Sequence, residues 1–184
     1  MKVRLASDLQ SDSIVDGKGI RTVIWFQGCA HNCEGCHNPE THDMNGGFEV
    51  NVSDILTSID KLEGQDGLTL SGGDPVFQVE AATEIAAYAK TKGLSVWCYT
   101  GFKYEEMLKI PKQRKFLKSV DVLVDGKFIL AERSLDLYFK GSRNQRIIDV
   151  LGSLEKNQVC LVEEYAEPKS NFNGNFRRRD DTFI

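Results

Sequence analysis

Short β-branched or aromatic runs that end at glycine and give way to a helical pattern recur along this chain, and that alternation restricts its fold more than any other feature. Thr22 to Gln27 (TVIWFQ) ends at Gly28, Gly67 to Ser71 at Gly72-Gly73, and Leu94 to Tyr99 at Thr100-Gly101. After the second run Asp74 is placed to cap a helix that starts at Pro75, crosses an alanine-rich stretch and stops near Lys92 before Gly93. A helix over Ser53 to Leu62 puts Ile55, Leu56, Ile59 and Leu62 on one face with Ser53 as N-cap. One or two more are predicted around Tyr104 to Lys109 and Lys112 to Ser119, before a fourth strand, Val120 to Val124, that turns at Asp125-Gly126. Arg146 to Leu151 and Val159 to Glu163 are further strand candidates. Strands alternating with helices predict an α/β fold with a mostly parallel sheet. Parallel strands send their loops out of one edge, and chemistry collects at the strands' C-terminal ends. Gly28-Cys29, Ser71 to Asp74 and Asp125 to Lys127 all lie at such ends, so they are expected to converge on one pocket.

The length, 184 residues, and 41% hydrophobic content suit one domain over residues 1–170, with a solvated extension over 171–184 that carries Arg177 to Arg179 and Asp180-Asp181. No apolar run approaches the roughly 20 residues of a membrane helix. Asp8, Asp12 and Asp16 interrupt the start where a secretory signal needs an apolar stretch, so a cytoplasmic location is expected. The net charge of -4 argues against a nucleic-acid partner.

Five cysteines are present, an odd number, and Cys29, Cys33 and Cys36 form a C-x3-C-x2-C cluster. Such a cluster points to metal or redox chemistry rather than a disulfide framework. Thiolates select zinc, copper(I) or iron-sulfur clusters. On a cubane 4Fe-4S cluster, three cysteines leave one iron open for a substrate, whereas a ferredoxin needs a fourth cysteine. A zinc site completed by His31 or His37 is the alternative from the same residues. Cys98 and Cys160 read as buried small hydrophobes outside the site. Ser71-Gly72-Gly73-Asp74-Pro75 offers close backbone approach and a carboxylate for a cation, and equally serves as an ordinary turn and helix cap. Asp16 to Arg21 reads as a charged turn without a Walker pattern, and Gly141 to Arg146 as a polar loop or a contact for a ligand or partner.

Taken together, Val15-Asp16-Gly17-Lys18-Gly19-Ile20-Arg21, the three-cysteine segment continuing into His37-Asn38-Pro39, and Leu70 to Pro75 resemble the radical S-adenosylmethionine (SAM) enzymes that activate glycyl-radical enzymes. Tyr99-Thr100-Gly101-Phe102, Val124 to Phe128 and Gly141 to Asp149 resemble the branch that acts on anaerobic ribonucleotide reductase. The resemblance spans about Ile14 to Val150. It implies a partial (β/α) barrel of the radical SAM type, with a 4Fe-4S cluster on Cys29, Cys33 and Cys36 whose open iron is chelated by SAM. It also implies Gly72, Gly73 and Asp74 near the SAM ammonium, Lys127 toward its carboxylate and Asp125 beside Lys127. Asn144 and Arg146 then belong in the pocket or at the partner contact, and His37, next to the third cysteine, either lies against the adenine, faces solvent or supports the cluster ligands from behind. Many relatives carry an aromatic residue just before the third cysteine; here it is Gly35, which leaves adenine recognition unassigned. The cluster and SAM, rather than a side chain, would carry the chemistry: reductive cleavage to a 5′-deoxyadenosyl radical that takes hydrogen from a glycine of the large reductase subunit. An external electron donor such as flavodoxin is implied. The alternatives are an activase of another glycyl-radical enzyme, such as pyruvate formate-lyase, and a non-catalytic zinc or iron-sulfur binding protein.

Overall fold

The computed structural model describes residues 1–165; the expected 171–184 extension lies outside them. In chain order the elements are β1 (Lys2–Leu5), β2 (Gln10–Ser13), β3 (Arg21–Phe26), β4 (Phe48–Asn51) and α1 (Val52–Ile59). Next come β5 (Gly67–Gly72), a 3-10 turn at Pro75–Gln78, α2 (Val79–Thr91), β6 (Ser95–Thr100), α3 (Tyr104–Met107) and α4 (Pro111–Leu117). The described part closes with β7 (Val122–Asp125), β8 (Arg146–Asp149), α5 (Val150–Lys156) and β9 (Cys160–Leu161).

All nine strands share one sheet in the order β4-β1-β3-β5-β6-β7-β8-β9, with β2 also paired to β3. The centre is parallel: β3 on β5, β5 on β6 and β6 on β7. Both flanks are antiparallel, a part of the topology that the sequence pattern did not predict. Two physical reasons account for the difference. β2 is the polar run QSDS with Asp12 at φ 63°, and β4 is largely exposed, so neither shows the alternation that betrays a half-buried strand. The expected strand Arg146 to Leu151 stops at Asp149, whose side chain accepts from the Gly152 N–H and starts α5. The N-cap of α1 is Asn51 rather than Ser53, and Leu62 falls beyond the helix end.

Strand side chains alternate between two faces. On one face Ile24, Phe26, Leu68, Leu70, Val96, Leu123 and Ile148 pack under Ile55 and Ile59 of α1, Ile85 and Ala86 of α2, and Phe116 and Leu117 of α4. On the other, Trp97, Val124 and Ile147 gather Tyr99, Phe139 and Tyr165 around them. The loop that precedes β3 is tied to the sheet by Arg21, which is fully buried. Its Nε donates to Thr69 Oγ1, its Nη1 to Lys18 O and Ser95 Oγ, and its Nη2 to Leu68 O and Ser95 O. Thr69 Oγ1 then donates 2.7 Å to Asp16 O, so the turn from Asp16 to Arg21 is fastened across β3, β5 and β6. Burial lowers the Arg21 pKa to about 10, which leaves the guanidinium charged at neutral pH. No helix among the described residues is long and apolar enough to cross a membrane.

Candidate functional site

A cavity of about 400 Å³ opens where β3, β5, β6 and β7 end. Cys29, Cys33, Cys36, His31 and His37 line it from the loop after β3, Ser71, Gly72 and Gly73 from the end of β5, and Tyr99, Thr100 and Gly101 from the end of β6. Gly126, Lys127 and Phe128 line it from the loop after β7, facing Val15 and Asp16. Two backbone bonds stitch the first two walls together, Gly73 N–H to Phe26 O (2.7 Å) and Asp74 N–H to Gly28 O (3.0 Å), while Gly28 N–H to Thr41 O (2.8 Å) closes the cysteine loop on itself.

Cys29 is buried at 8% exposure, while Cys33 and Cys36 are half-buried. Burial pushes the Cys29 thiol up to about 11, although the His31 backbone N–H works the other way. Cys98 is buried in the core as expected, and burial raises its thiol as well. Cys160, expected to be buried, is instead half-buried on the edge strand β9. Neither lines the cavity. Alkylation follows the thiolate and its accessibility. In cluster-free protein at pH 8, mass spectrometry is therefore expected to find Cys33, Cys36 and Cys160 labelled by iodoacetamide well before Cys29 and Cys98. Labelling of Cys29 at the rate of Cys33 would contradict that order.

Of the positions expected around a cofactor, the structure brings Gly72, Gly73, Lys127 and His37 into the cavity wall and keeps four others out of it. Asp74, expected beside an ammonium group, is fully buried. Its carboxylate accepts from Val76 N–H, Thr100 Oγ1 and Gly101 N–H and faces His31 Nε2 at 2.8 Å. Asp125 is also fully buried, because it alternates with Val124 and so points to the helix side of β7. There it accepts from Tyr104 N–H and from Arg146 Nε (2.9 Å) and Nη2, while Arg146 grips Glu105 on α3 with two further bonds of 2.9 and 2.8 Å. Asp125 and Arg146 are register partners on β7 and β8, so the pair is an internal brace. Asn144 donates 2.8 Å to Lys127 O and Gln145 donates 2.9 Å to Gly126 O. These side chains hold the backbone that carries Lys127.

Four wall residues were given no site role from the sequence: Trp25 and Phe139, and Tyr99 and Phe128, which entered only as members of family-like motifs. Inward alternation in β3 and β6 is the signal for Trp25 and Tyr99, and the Val124 to Phe128 motif for Phe128; no local pattern marks Phe139, which lies with Phe128 in the long connection from β7 to β8. That connection covers the cysteine loop. Phe128 meets His37 with ring centroids 4.9 Å apart, and Leu130 sits against Gly35, where a Cβ would come within 2.9 Å of it.

Three thiols on one cavity are a donor set that fits an iron-sulfur cluster. Among the described residues no three His, Cys, Asp or Glu side chains gather around one point as ligands of one ion. Of the two imidazoles that could complete a zinc tetrahedron, His31 has its Nε2 engaged by Asp74 and His37 has its ring against Phe128. A cubane takes one thiolate on each of three irons, so its ligands stand around a body rather than a point.

A family model described as a 4Fe-4S single cluster domain matches residues 15–148. The chain is 34% identical over 142 residues to the anaerobic ribonucleoside-triphosphate reductase-activating protein of Haemophilus influenzae, covering 73% of this chain and 90% of that one. It is 37% identical over 142 residues to the protein of that name from Enterobacteria phage T4, covering 72% and 86%. With the namesake of Escherichia coli K12 it shares 33% over 140 residues, covering 72% and 90%. Among solved structures, QueE from Escherichia coli superposes with a TM-score of 0.47 at 15% identity, over 55% of this chain and 53% of that one. By its similarity to these relatives over most of their length, the chain belongs to the family of anaerobic ribonucleoside-triphosphate reductase-activating proteins.

Proposed function

We propose that this chain activates an anaerobic ribonucleoside-triphosphate reductase as a radical SAM enzyme, with a 4Fe-4S cluster held by Cys29, Cys33 and Cys36 in a single domain of partial-barrel type. The observation that carries the reading is the meeting of those three thiols with Ser71, Gly72, Gly73 and Lys127 on one cavity at the C-terminal edge of the parallel strands. When bound, the cluster supplies one electron and an open iron to SAM, whose cleavage yields methionine and the 5′-deoxyadenosyl radical that takes hydrogen from a glycine Cα of the reductase.

The residues of the chain bind, orient and shield. Gly72 and Gly73 present backbone without side chains, so the SAM ammonium meets main-chain oxygens there, while the Asp74 carboxylate stays with its internal donors. The Lys127 ammonium attracts the SAM carboxylate and is aimed by Asn144 and Gln145, behind which the Asp125–Arg146 brace fixes β7 against β8. His37 and Phe128 offer ring faces to the adenine on the Cys36 side of the cavity. The apolar wall of Trp25, Tyr99, Phe128 and Phe139 keeps water from the reacting carbon. The electron comes from an external one-electron donor such as flavodoxin, and the reductase presents its glycine at the cavity mouth.

The test is EPR of anaerobically reconstituted, reduced protein before and after SAM, followed by mixing with the large reductase subunit. A reduced-cluster signal that changes shape with SAM, then a glycyl signal on the reductase, is the expected result. A protein that takes up zinc and stays EPR-silent after full reconstitution would overturn the proposal, and a glycyl signal only on pyruvate formate-lyase would reassign the partner.

A further inference from the structure

Of the residues between the first and second cysteines, His31 alone is held by a prepared socket. Its side chain is 9% exposed, and Nε2 lies 2.8 Å from Asp74 Oδ2. The ring meets Phe102 edge-on at 4.7 Å between centroids and Phe77 at 5.4 Å. Gly101 completes the socket: a Cβ there would stand 2.4 Å from His31 Cδ2 and 2.6 Å from Nε2. The Asp74 carboxylate is itself fixed by Thr100 Oγ1, Gly101 N–H and Val76 N–H. Every part of the socket belongs to the segments that leave β5 and β6, and none to the cysteine loop.

We propose that His31 is a positioning residue: its ring, pegged between Asp74, Phe77, Gly101 and Phe102, shapes the Cys29–Cys36 loop for the cluster before any metal is present. The proposal rests on the reading of the three cysteines as cluster ligands. Its physical basis is that a short loop bearing three thiols has to give up conformational freedom to fit a rigid metal core, at about 1–2 kcal/mol per backbone residue. A buried, hydrogen-bonded ring near the middle of the loop meets part of that cost during folding, so the thiols wait near their bound arrangement. The same contacts explain why Asp74 is withdrawn from the cavity wall: it serves the loop.

The experiment uses the full chain, first without the cluster and then with it. In cluster-free protein, hydrogen exchange read by mass spectrometry over residues 29–38 is compared among wild type, His31→Ala and His31→Gln. Protection is expected in wild type, its loss in His31→Ala with α2 unchanged, and its return in His31→Gln, whose amide still reaches Asp74. In loaded protein, iron release to a chelator is expected to run about tenfold faster or more in His31→Ala, and near the wild-type rate in His31→Gln. Gly101→Ala keeps His31 but fills the socket, and is expected to behave as His31→Ala does. Equal exchange and equal iron release in wild type and His31→Ala overturn the proposal. So does a His31→Gln protein that loses iron as fast as His31→Ala and has an altered EPR line shape, since the ring would then be a ligand. If the cysteine reading fails instead, wild type takes up no cluster while the hydrogen-exchange contrast persists.

Discussion

Gly72→Ala is expected to destabilise the cluster-free protein by about 3 kcal/mol, with about 2 from forced packing and about 1 from backbone strain. Gly72 has φ +104°, and a Cβ on it would lie 2.4 Å from Phe26 O and 2.6 Å from Phe26 N. Those atoms are backbone of the neighbouring parallel strand, so no rotamer change relieves the contact. The strain has to be taken up by parting β3 from β5 at the point where both enter the site, and cluster loading is expected to fall with stability. Urea unfolding of the apo-protein and iron per chain after reconstitution measure the two effects. Gly93→Ala is the control: its φ is +76° with nothing within 4 Å, so about 1 kcal/mol from conformation alone is expected. A Gly72→Ala protein as stable as the Gly93→Ala protein would show that the two strands do not need their close approach.

Arg21→Ala is expected to cost about 4 kcal/mol, through the void left by a long buried side chain and the acceptors it abandons. Five N–H groups of this arginine meet five acceptors on Lys18, Leu68, Thr69 and Ser95, and the guanidinium carbon lies 5.5 Å from the centre of the Trp97 ring. Arg21→Lys keeps the charge but loses the fork, so about 2 kcal/mol is expected for the unmade bonds. The difference between the two variants in urea unfolding separates geometry from charge. If Arg21→Lys matched wild type, the cation would be the sole contribution and the fork incidental.

The parallel centre was legible because its strands are buried on both faces and therefore read as unbroken apolar runs. TVIWF, GLTL and SVWCY each announce a strand, and the glycines after the first two announce an exit. On the flanks, β8 and β9 were legible as strands but not in their antiparallel sense, while β1, β2 and β4 were missed; QSDS is held by its pairing with β3 rather than by a burial pattern of its own. At the site, the sequence identified which strand ends matter but not which way their carboxylates turn. Asp74 and Asp125 each stand at such an end beside glycine, and both are committed inside the protein. For Asp125 the signal was present: a two-residue period puts it on the side of Leu123, away from Val124, and a cation waits opposite on β8. For Asp74 the cap was legible, and its side chain accepts from Val76 N–H, whereas its other partners, His31 in the cysteine loop and Thr100 at the end of β6, meet it only in the folded chain. His31 was weighed as a zinc ligand, as its place among cysteines suggested, and its Nε2 is engaged by Asp74.

The brace behind Lys127 also decides how the site meets acid. Arg146 holds the Glu105 carboxyl down to about 2, chiefly through its two hydrogen bonds. An unpaired glutamate takes up its proton near pH 4.3. A carboxyl depressed in the folded state contributes stability above its unfolded value, and that contribution is lost progressively as the pH falls through the folded one. The tie from α3 to β8 is therefore intact at neutral pH and released only in strong acid. Being half-exposed, it contributes little to global stability; what it preserves across mild acidification is the orientation of the loop that carries Lys127.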